Sequence, residues 1–358
     1  MITIADAPCR MAEPSGVLAF SGIETKRPSL SPIRSLAVLL LLMASLLLAK
    51  PTWAADGDFE RWLGGVRQEA LAAGINPATI DRAFDGLEPI ERVIELDRKQ
   101  PETTVTFEHY LSRVVDAKRR QAARQHFAEN RVLLTEIGRR YGVQPRFIVA
   151  LWGIETNFGR VTGNFPVIAA LATLAYDGRR SAFFRQELIN ALRIVDLDHV
   201  DPKQMLGSWA GAMGQSQFMP SSFLRYAVSY RGDGKRDIWH RREDVFASIA
   251  NYLSQSGWRV DESWGRPVRL PPRFDPALVG PNIKKSVAAW AKLGVRRSDG
   301  GKLPAGPIEA SVLQPGGSGG PAVLVYDNYR VLLKWNSSNY FASAVGLLAD
   351  SMDGHKVN

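Results

Sequence analysis

The spacing of apolar residues predicts that residues 56–256 are mostly helical. Phe59, Leu63 and Val66 recur at helical intervals, and Asn76-Pro77 is a helix-start signal. The same periodicity predicts helices over residues 107–115, 116–141, 167–176, 181–195 and 245–256, and one that is capped by Ser221 or Ser222 and ends at Tyr230. The glycine-rich stretch 211–220 is expected to form a tight turn or a close-packed loop, because glycine weakens a helix interior.

One predicted helix, which begins at Pro145, has no polar face. Its apolar residues include Phe147, Ile148, Val149, Leu151, Trp152 and Ile154. Such a helix is a buried one. Glu155 falls near its last turn, where desolvation and the negative end of the helix dipole both raise the pKa of a carboxyl. A carboxyl that stays protonated near neutral pH can protonate a leaving oxygen, as in a glycosidase. The alternative is a glutamate that simply reaches water at a helix end.

The amino-acid composition of the chain changes after Trp264. Proline becomes frequent, and residues 267–270, 322–326 and 331–334 are predicted strands, with a short helix over 286–293 and a closing helix over 340–352. The fold class is therefore mainly α (α+β). We expect a signal peptide with a long n-region at 1–55, a helical catalytic region at 56–264, a small β-containing region at 265–335, and a closing helix at 336–358 that packs back on the catalytic region.

The N-terminal residues have the features of an export signal. Arg34 precedes an apolar run at 36–49 that is too short for a comfortable membrane span, and small residues follow at 52–55. We expect cleavage there and a soluble, periplasmic protein without a membrane anchor; an uncleaved anchor is the alternative. The single cysteine, Cys9, lies upstream of the run, so the mature chain has no disulfide and no cysteine for a lipid.

The charge of the mature chain favours an anionic polymer as its partner. The whole chain carries +9, and residues 1–54 contain five basic and three acidic residues, which leaves 9 − 2 = +7. A basic exported protein suits cell-wall material, and export argues against nucleic acid.

Several kinds of chemistry have no support in the sequence. There is no His-Glu-x-x-His motif or cysteine pair for zinc, no Gly-x-Ser-x-Gly elbow and no dinucleotide fingerprint. Residues 229–244 have the outline of a calcium loop, with Asp233, Asp237 and Asp244 at ligand-like positions. Ser229, Arg231 and Lys235 stand where further ligands would be needed, so we expect a loop without tightly bound calcium and no cofactor.

Four segments, taken together, resemble the membrane-bound lytic transglycosylase B family of murein-degrading enzymes. They are Gly153-Ile-Glu-Thr-Asn-Phe-Gly-Arg160, Ser208-Trp-Ala-Gly-Ala-Met-Gly214, Gln217-Phe-Met-Pro-Ser-Ser222 and Trp335-Asn-x-Ser-x-x-Phe-Ala342. The resemblance extends over about residues 57 to 352. It implies a lysozyme-like catalytic core, cleavage of the β-1,4 bond between N-acetylmuramic acid and N-acetylglucosamine in peptidoglycan glycan strands, and a 1,6-anhydromuramic product.

The resemblance also implies roles for individual residues. Glu155 matches the single catalytic acid and base, and Ser208 matches a serine that hydrogen-bonds that glutamate or the substrate. The groups that match the lining of the sugar cleft are Tyr110, Gln217, Tyr252 and Asn336, and Arg179-Arg180 match a basic pair near the glycan and its peptide. We expect a monomer.

Two other hypotheses remain open at this point. A goose-lysozyme-type hydrolase would need a second carboxylate to place a water, and Asp177 and Glu187 are candidates. A wall-binding protein that has lost activity is the second alternative.

Overall fold

Helices account for most of the residues described by the computed structural model, which are 56–99, 105–304 and 306–352. In chain order the α-helices are α1 Asp56–Ala72, α2 Pro77–Phe84, α3 Glu91–Arg98, α4 Phe107–Val114, α5 Ala117–Glu129, α6 Arg131–Tyr141, α7 Pro145–Thr156, α8 Val167–Tyr176, α9 Ser181–Asp196, α10 Pro220–Tyr226, α11 Arg242–Gln255, α12 Val287–Lys292, α13 Asp327–Trp335 and α14 Asn339–Asp350. The mainly α fold class is therefore confirmed.

The chain divides into two compact units. Of the described residues, those up to Gln68 belong to one unit and those from Glu69 onward belong to the other. Among the described residues, only the first part of α1 belongs to the former unit, where the rings of Phe59 and Trp62 stack 5.6 Å apart.

The apolar helix α7 lies at the centre of the larger unit. It packs against α5, α6, α11 and α14, and every residue from Phe147 to Ile154 is buried. Two glycines permit close packing here: a Cβ on Gly153 would lie 2.5 Å from the ring of Phe158, and one on Gly346 of α14 would lie 2.2 Å from the ring of Trp264. The absence of a polar face on α7 thus reflects neighbours on all its sides.

A five-stranded antiparallel sheet forms the small β-containing part. Its strands are β3 Gly265–Arg269, β4 Lys285–Ser286, β5 Arg296–Arg297, β6 Glu309–Leu313 and β7 Ala322–Val325, in the order β4-β6-β7-β3-β5. Gly265 pairs with Val325, and Val312 pairs with Leu324. The side chain of Trp290, on α12, is fully buried and donates its indole N–H to Ala310 O at 2.9 Å.

A second, two-stranded sheet brings distant parts of the helical region together. β1 Phe165–Pro166 pairs antiparallel with β2 Leu206–Gly207. Gly163 makes this approach possible: its φ is +88°, and a Cβ there would lie 2.0 Å from Gly207 O. The pairing fixes the segment that follows α7 against the segment that carries Ser208.

The prediction of a single helix over 116–141 is wrong, because the helix is interrupted at Asn130, between α5 and α6. The side chain of Asn130 donates to His126 O at 2.7 Å and accepts from Arg242 at 3.2 Å. An asparagine that satisfies the preceding helix end in this way competes with continued helix hydrogen bonding.

The strand predicted over 331–334 is also wrong, since these residues lie within α13. The buried residues of α13 are Asn328, Tyr329, Val331 and Leu332, which is helical spacing. A short apolar run does not by itself distinguish a strand from one buried face of a helix.

The helix α10 begins and ends earlier than predicted, and no serine caps it. Its N-cap is Met219, and Pro220 occupies its first turn. Glu187 of α9 instead accepts from Ser221 N at 2.8 Å. A carboxylate from another helix therefore satisfies a free N–H that a local serine was expected to satisfy.

The predicted signal peptide and its cleavage site lie outside the described residues. None of the described helices combines the length and the apolar character that crossing a membrane requires.

Candidate active site

The helix α7 ends next to Glu155 in a run of left-handed residues. The φ angles of Asn157, Phe158 and Gly159 are 49°, 61° and 79°. A Cβ on Gly159 would lie 2.4 Å from Oε1 of Gln215, so glycine serves both the conformation and the space. For Phe158, a bulky residue, positive φ is strained, and such strain is typical of functional sites.

Thr156 and Gln215 hold this turn against the glycine-rich loop. Thr156 Oγ1 donates to Gln215 O at 2.9 Å and accepts from Gly159 N at 3.0 Å. The side chain of Gln215 accepts from Trp152 Nε1 at 2.9 Å and donates to Trp239 O at 2.7 Å. The direction in which Glu155 leaves the helix is therefore fixed by hydrogen bonds on both sides of the turn.

The carboxyl of Glu155 receives a hydrogen bond from Trp335 at the end of α13. The indole Nε1 donates to Oε1 at 2.7 Å. Burial of the carboxyl raises the pKa of Glu155 to about 8, although the Trp335 hydrogen bond favours the ionised form and lowers it. The direction of the pKa shift predicted from the sequence is confirmed, while the residue as a whole is intermediate in exposure, so part of the Glu155 side chain still reaches solvent.

Trp335 belongs to a cluster of four aromatic side chains, here called the aromatic wall: Phe218, Tyr226, Tyr252 and Trp335. The ring of Trp335 lies 4.6 Å from that of Tyr252 and 5.3 Å from that of Phe218, and Tyr226 lies 4.4 Å from Tyr252. The hydroxyl of Tyr252 donates to Lys334 O at 2.7 Å, and burial raises its pKa to about 12. This bond ties α11 to the last turn of α13 and fixes the position of Trp335.

Tyr110 is within electrostatic reach of Glu155. Burial raises the pKa of Tyr110 well above its usual range, and the charge of Glu155 raises it further. The ring of Tyr110, on α4, lies 5.5 Å from that of Tyr340. A neutral phenol is thus held beside the glutamate from a helix remote in sequence.

Ser208, Gln217 and Asn336 each use part of their hydrogen-bonding capacity within the protein. Ser208 Oγ accepts from Ala212 N at 3.0 Å, and its own proton has no acceptor within the described part of the chain. The Gln217 amide donates to Thr162 O and to Gly214 O, at 3.0 and 2.9 Å. The other hydrogen-bonding groups of Ser208 and Gln217 have no partner among the described residues, although Ser208 as a whole is buried.

Asn336 follows Trp335 directly, and its Oδ1 accepts from Ser338 N at 3.0 Å. The hydroxyl of Ser338 in turn caps α14 by accepting from Phe341 N. The side-chain N–H groups of Asn336, which are donors, have no acceptor among the described residues.

The basic pair Arg179-Arg180 is anchored to α3 rather than to the residues around Glu155. Arg180 pairs with the buried carboxylate of Asp97 at 2.6 Å, and Arg179 lies 3.8 Å from its other oxygen. Arg98 pairs with Asp177 at 2.7 Å in the same loop. Arg179 keeps about half of its side chain exposed and can still meet an anionic group.

The loop that resembles a calcium site is satisfied by the protein's own donors. Asp233 accepts from Ser229 and pairs with Arg241, which together hold its pKa at about 2, and it also accepts from Lys235 N. Both oxygens of Asp244 accept backbone N–H groups, from Tyr230 and Asp237.

The remaining ligand-like positions of this loop are also engaged. Arg231 pairs with Glu243 at 2.6 Å, and Asp237 accepts from the N–H groups of Trp239 and His240. Within the described ranges, no group of three or more His, Cys, Asp or Glu side chains is arranged to hold a metal. These residues therefore do not fit a calcium ion as they stand.

The sequence alone did not single out Phe218, Tyr226 or the donor to Glu155, Trp335. Trp335 belongs to one of the four segments quoted above, but the incorrect strand over 331–334 concealed its position. Helical spacing from Tyr329 and Leu332 would have placed Trp335 at the end of a buried helical face.

The model of the transglycosylase SLT domain family matches residues 58–350, and the chain belongs to this family. It is 34% identical over 223 residues to membrane-bound lytic murein transglycosylase B of Escherichia coli K12; the match covers 59% of this chain and 58% of the relative.

Among solved structures, the chain is similar to SltB3 from Pseudomonas aeruginosa, with 47% identity and a TM-score of 0.80. The match covers 83% of this chain and 80% of that one. SltB3 has been solved in complex with NAG-anhNAM-pentapeptide and with NAG-NAM-pentapeptide.

Proposed function

We propose that the protein is a peptidoglycan lytic transglycosylase. It cleaves the β-1,4 bond between N-acetylmuramic acid and N-acetylglucosamine and leaves a 1,6-anhydromuramic end. Membership of the transglycosylase SLT domain family supports this assignment, as does the similarity to SltB3, which binds a fragment with such an anhydro end.

The observation that carries the proposal is the state of Glu155. With a pKa of about 8, its carboxyl is protonated at neutral pH and can act as a general acid. The proton moves to the glycosidic oxygen, and the C1–O bond breaks with its electron pair going to that oxygen, as an oxocarbenium-like state develops.

The second half of the reaction uses the same group as a base. The 2-acetamido group of the muramyl sugar assists at C1 from the opposite face. Ionised Glu155 then takes the proton of the sugar's own C6 hydroxyl, and O6 bonds to C1 as the acetamido oxygen leaves C1. Intramolecular attack has a large effective concentration compared with water.

Both candidates for the second carboxylate that a hydrolase would require are engaged elsewhere. Asp177 is paired with Arg98, and Glu187 accepts from Ser221 N at the start of α10. No other carboxylate contributes to the pKa of Glu155 within the described part of the chain. A single acid and base with substrate assistance therefore accounts for the site better than water activation by a second carboxylate.

The surrounding polar groups are proposed to orient the sugar. Tyr110, Ser208, Gln217, Tyr252 and Asn336 line the cleft, and the Ser208 hydroxyl and the Asn336 amide supply free donors. The aromatic wall offers apolar faces to sugar rings and helps to exclude water.

The exposed Arg179 is proposed to meet an acidic group of the glycan or its peptide, since its neighbour Arg180 is the one that neutralises Asp97. We also propose that the mature chain acts in the periplasm after cleavage of residues 1–55 and is a monomer without a cofactor. We further propose domain boundaries at 264/265 and 335/336.

Digestion of purified sacculi, with mass spectrometry of the products, tests the reaction. The expected products carry anhydromuramic ends; reducing muramic ends would instead identify a hydrolase. The variant Glu155→Gln should abolish cleavage and still bind sacculi, because the amide keeps the shape of the side chain but has no acid proton. Glu88→Gln, which changes an exposed glutamate, is the matched control and should cleave normally.

The same experiment distinguishes an inactive wall-binding protein. Such a protein would bind sacculi and release no fragments, with or without Glu155. Cleavage by Glu155→Gln at the wild-type rate would show that another group supplies the proton.

A further inference from the structure

The indole of Trp335 distinguishes the two oxygens of the Glu155 carboxyl. Its N–H donates to Oε1 at 2.7 Å. An indole nitrogen is a donor only, so it cannot accept a proton from the carboxyl. In the protonated acid, the carbonyl oxygen is the better acceptor, and Oε1 therefore takes the carbonyl role.

We propose that Trp335 is a positioning residue that assigns the acid proton of Glu155 to Oε2. The inference rests on the proposed function, in which this proton goes to the glycosidic oxygen. Oε2 then donates the proton and later, as part of the carboxylate, accepts the proton of the C6 hydroxyl. Without Trp335 the proton would distribute between the two oxygens, and the carboxyl would lose its fixed orientation.

The position of Trp335 is fixed independently of Glu155. Its ring contacts Tyr252 at 4.6 Å with an interplanar angle of 60°, and Phe218 at 5.3 Å. The residue before it is held at both ends, because Lys334 O accepts from the Tyr252 hydroxyl and Lys334 Nζ donates to Ser256 O at 2.8 Å. The fold therefore fixes the orientation of the indole N–H independently of its acceptor.

The bond strengthens when Glu155 ionises. A hydrogen bond to a charged acceptor is roughly twice as strong as one between neutral groups. Trp335 therefore stabilises the carboxylate that forms after proton transfer and opposes the desolvation that disfavours it. One contact in this way serves the orientation of the acid and the stability of the base.

The titration of Glu155 can be assigned without confusion with its neighbours. Among the described residues, Tyr110 on α4 is the titratable group that interacts with it, and the pKa of Tyr110 lies far above the working range. Two other ionisable side chains, His126 of α5 and Arg242 of α11, lie nearby on neighbouring helices. They contact the ring of Trp152, one turn earlier on α7, and not the carboxyl of Glu155.

The variant Trp335→Phe tests the inference, since phenylalanine keeps an aromatic ring and has no N–H. We expect kcat to fall about tenfold to a hundredfold, the range for a lost hydrogen bond to a charged group, with little change in KM. The alkaline limb of the pH–rate profile should move to higher pH by about one to two units.

Trp264→Phe is the matched control. The indole of Trp264 also donates to a carboxylate, Asp350 at 3.0 Å, but it lies outside the aromatic wall. This variant is expected to change the melting temperature and to leave the pH–rate profile in place. An equal displacement of the profile in both variants would overturn the inference.

One further measurement separates this inference from the proposed function. The Glu155 carboxyl can be titrated by infrared or ¹³C NMR spectroscopy without substrate, with Glu155→Gln used for assignment. Its pKa should rise in Trp335→Phe even if the enzyme's reaction were another one, and an unchanged or lower pKa would overturn the role of Trp335.

If phenylalanine impairs folding, 3-benzothienylalanine at position 335 keeps the bicyclic shape and removes only the N–H. A normal rate and pH profile in that protein would show that Trp335 contributes packing alone. The proposed function, by contrast, would fail if the wild type released no fragments, if its products carried reducing muramic ends, or if Glu155→Gln still cleaved sacculi.

Discussion

Replacing Glu155 by glutamine should stabilise the folded protein above acidic pH, because the wild-type carboxyl is held in surroundings that disfavour its charge. Its pKa is 4.5 in the ordinary state and about 8 in the fold. Between these values the folded protein binds more of the proton than the unfolded chain does. Stability therefore falls as the pH rises through this window and changes little above it.

The magnitude follows from the separation of the two pKa values. Each unit corresponds to about 1.4 kcal/mol, so the full cost of ionisation approaches about 5 kcal/mol. Roughly 3 kcal/mol of this falls between pH 5 and pH 8. Glutamine carries no charge at any pH, and its carbonyl oxygen can still accept from the Trp335 indole.

Urea unfolding at pH 5, 6, 7 and 8 measures the effect. The stability of Glu155→Gln relative to the wild type should increase by roughly 3 kcal/mol across this range. The exposed-site variant Glu88→Gln reports the general pH dependence of the fold and should follow the wild type. Parallel stability curves for Glu155→Gln and the wild type would refute the claim that burial raises this pKa.

The pH dependence of catalysis should show the same titration of Glu155. As Glu155 ionises, the enzyme loses its general acid, so kcat/KM should decline above pH about 8. A decline centred near pH 5, together with flat stability differences, would show that Glu155 is an ordinary exposed carboxylate.

Two other predictions concern the supporting structure. Gly163→Ala should destabilise the protein by about 2 kcal/mol or more and lower its activity, because the new Cβ would lie 2.0 Å from Gly207 O. The control is Gly178→Ala, at a position with nearly the same φ of +86° but with nothing within 4 Å of a Cβ. Urea unfolding of the two variants measures the cost of the clash, and equal losses of stability would contradict the prediction. Millimolar calcium should raise the melting temperature by less than about 2 °C, because Arg241, Ser229 and backbone N–H groups already occupy the loop carboxylates; a large upward shift in differential scanning calorimetry would show that these donors yield to the ion.

The centre of the fold was predictable because α7 is apolar on every side. No amphipathic arrangement accommodates Phe147, Leu151 and Ile154 together with Val149, so burial follows from the sequence. The raised pKa of Glu155 follows from that burial. The glycine-rich loop was predictable for a similar reason, since Gly211 and Gly214 adopt φ values of 87° and 62°.

Other features depend on partners that are remote in sequence. The break at Asn130 involves Arg242, which lies 112 residues further along the chain. The start of α10 depends on Glu187 rather than on the serines beside it. The donor to Glu155 comes from Trp335, 180 residues away, on a segment whose apolar run is compatible with either a strand or a helix.

The two effects on Glu155 have different origins, and the proposed chemistry needs both of them. Burial by α7 alone would favour the acid so strongly that ionisation, and hence the base of the second step, would be costly. The donor from α13 lowers that cost without adding a charge, so a pKa of about 8 leaves both protonation states within reach near neutral pH. Desolvation can be predicted from one helix, whereas the compensating donor exists only when α13 packs beside α7 and α11. A substitution that displaces α13, at Tyr252 or Tyr329 for example, is therefore expected to alter the pH profile of the enzyme although it changes no residue that contacts Glu155.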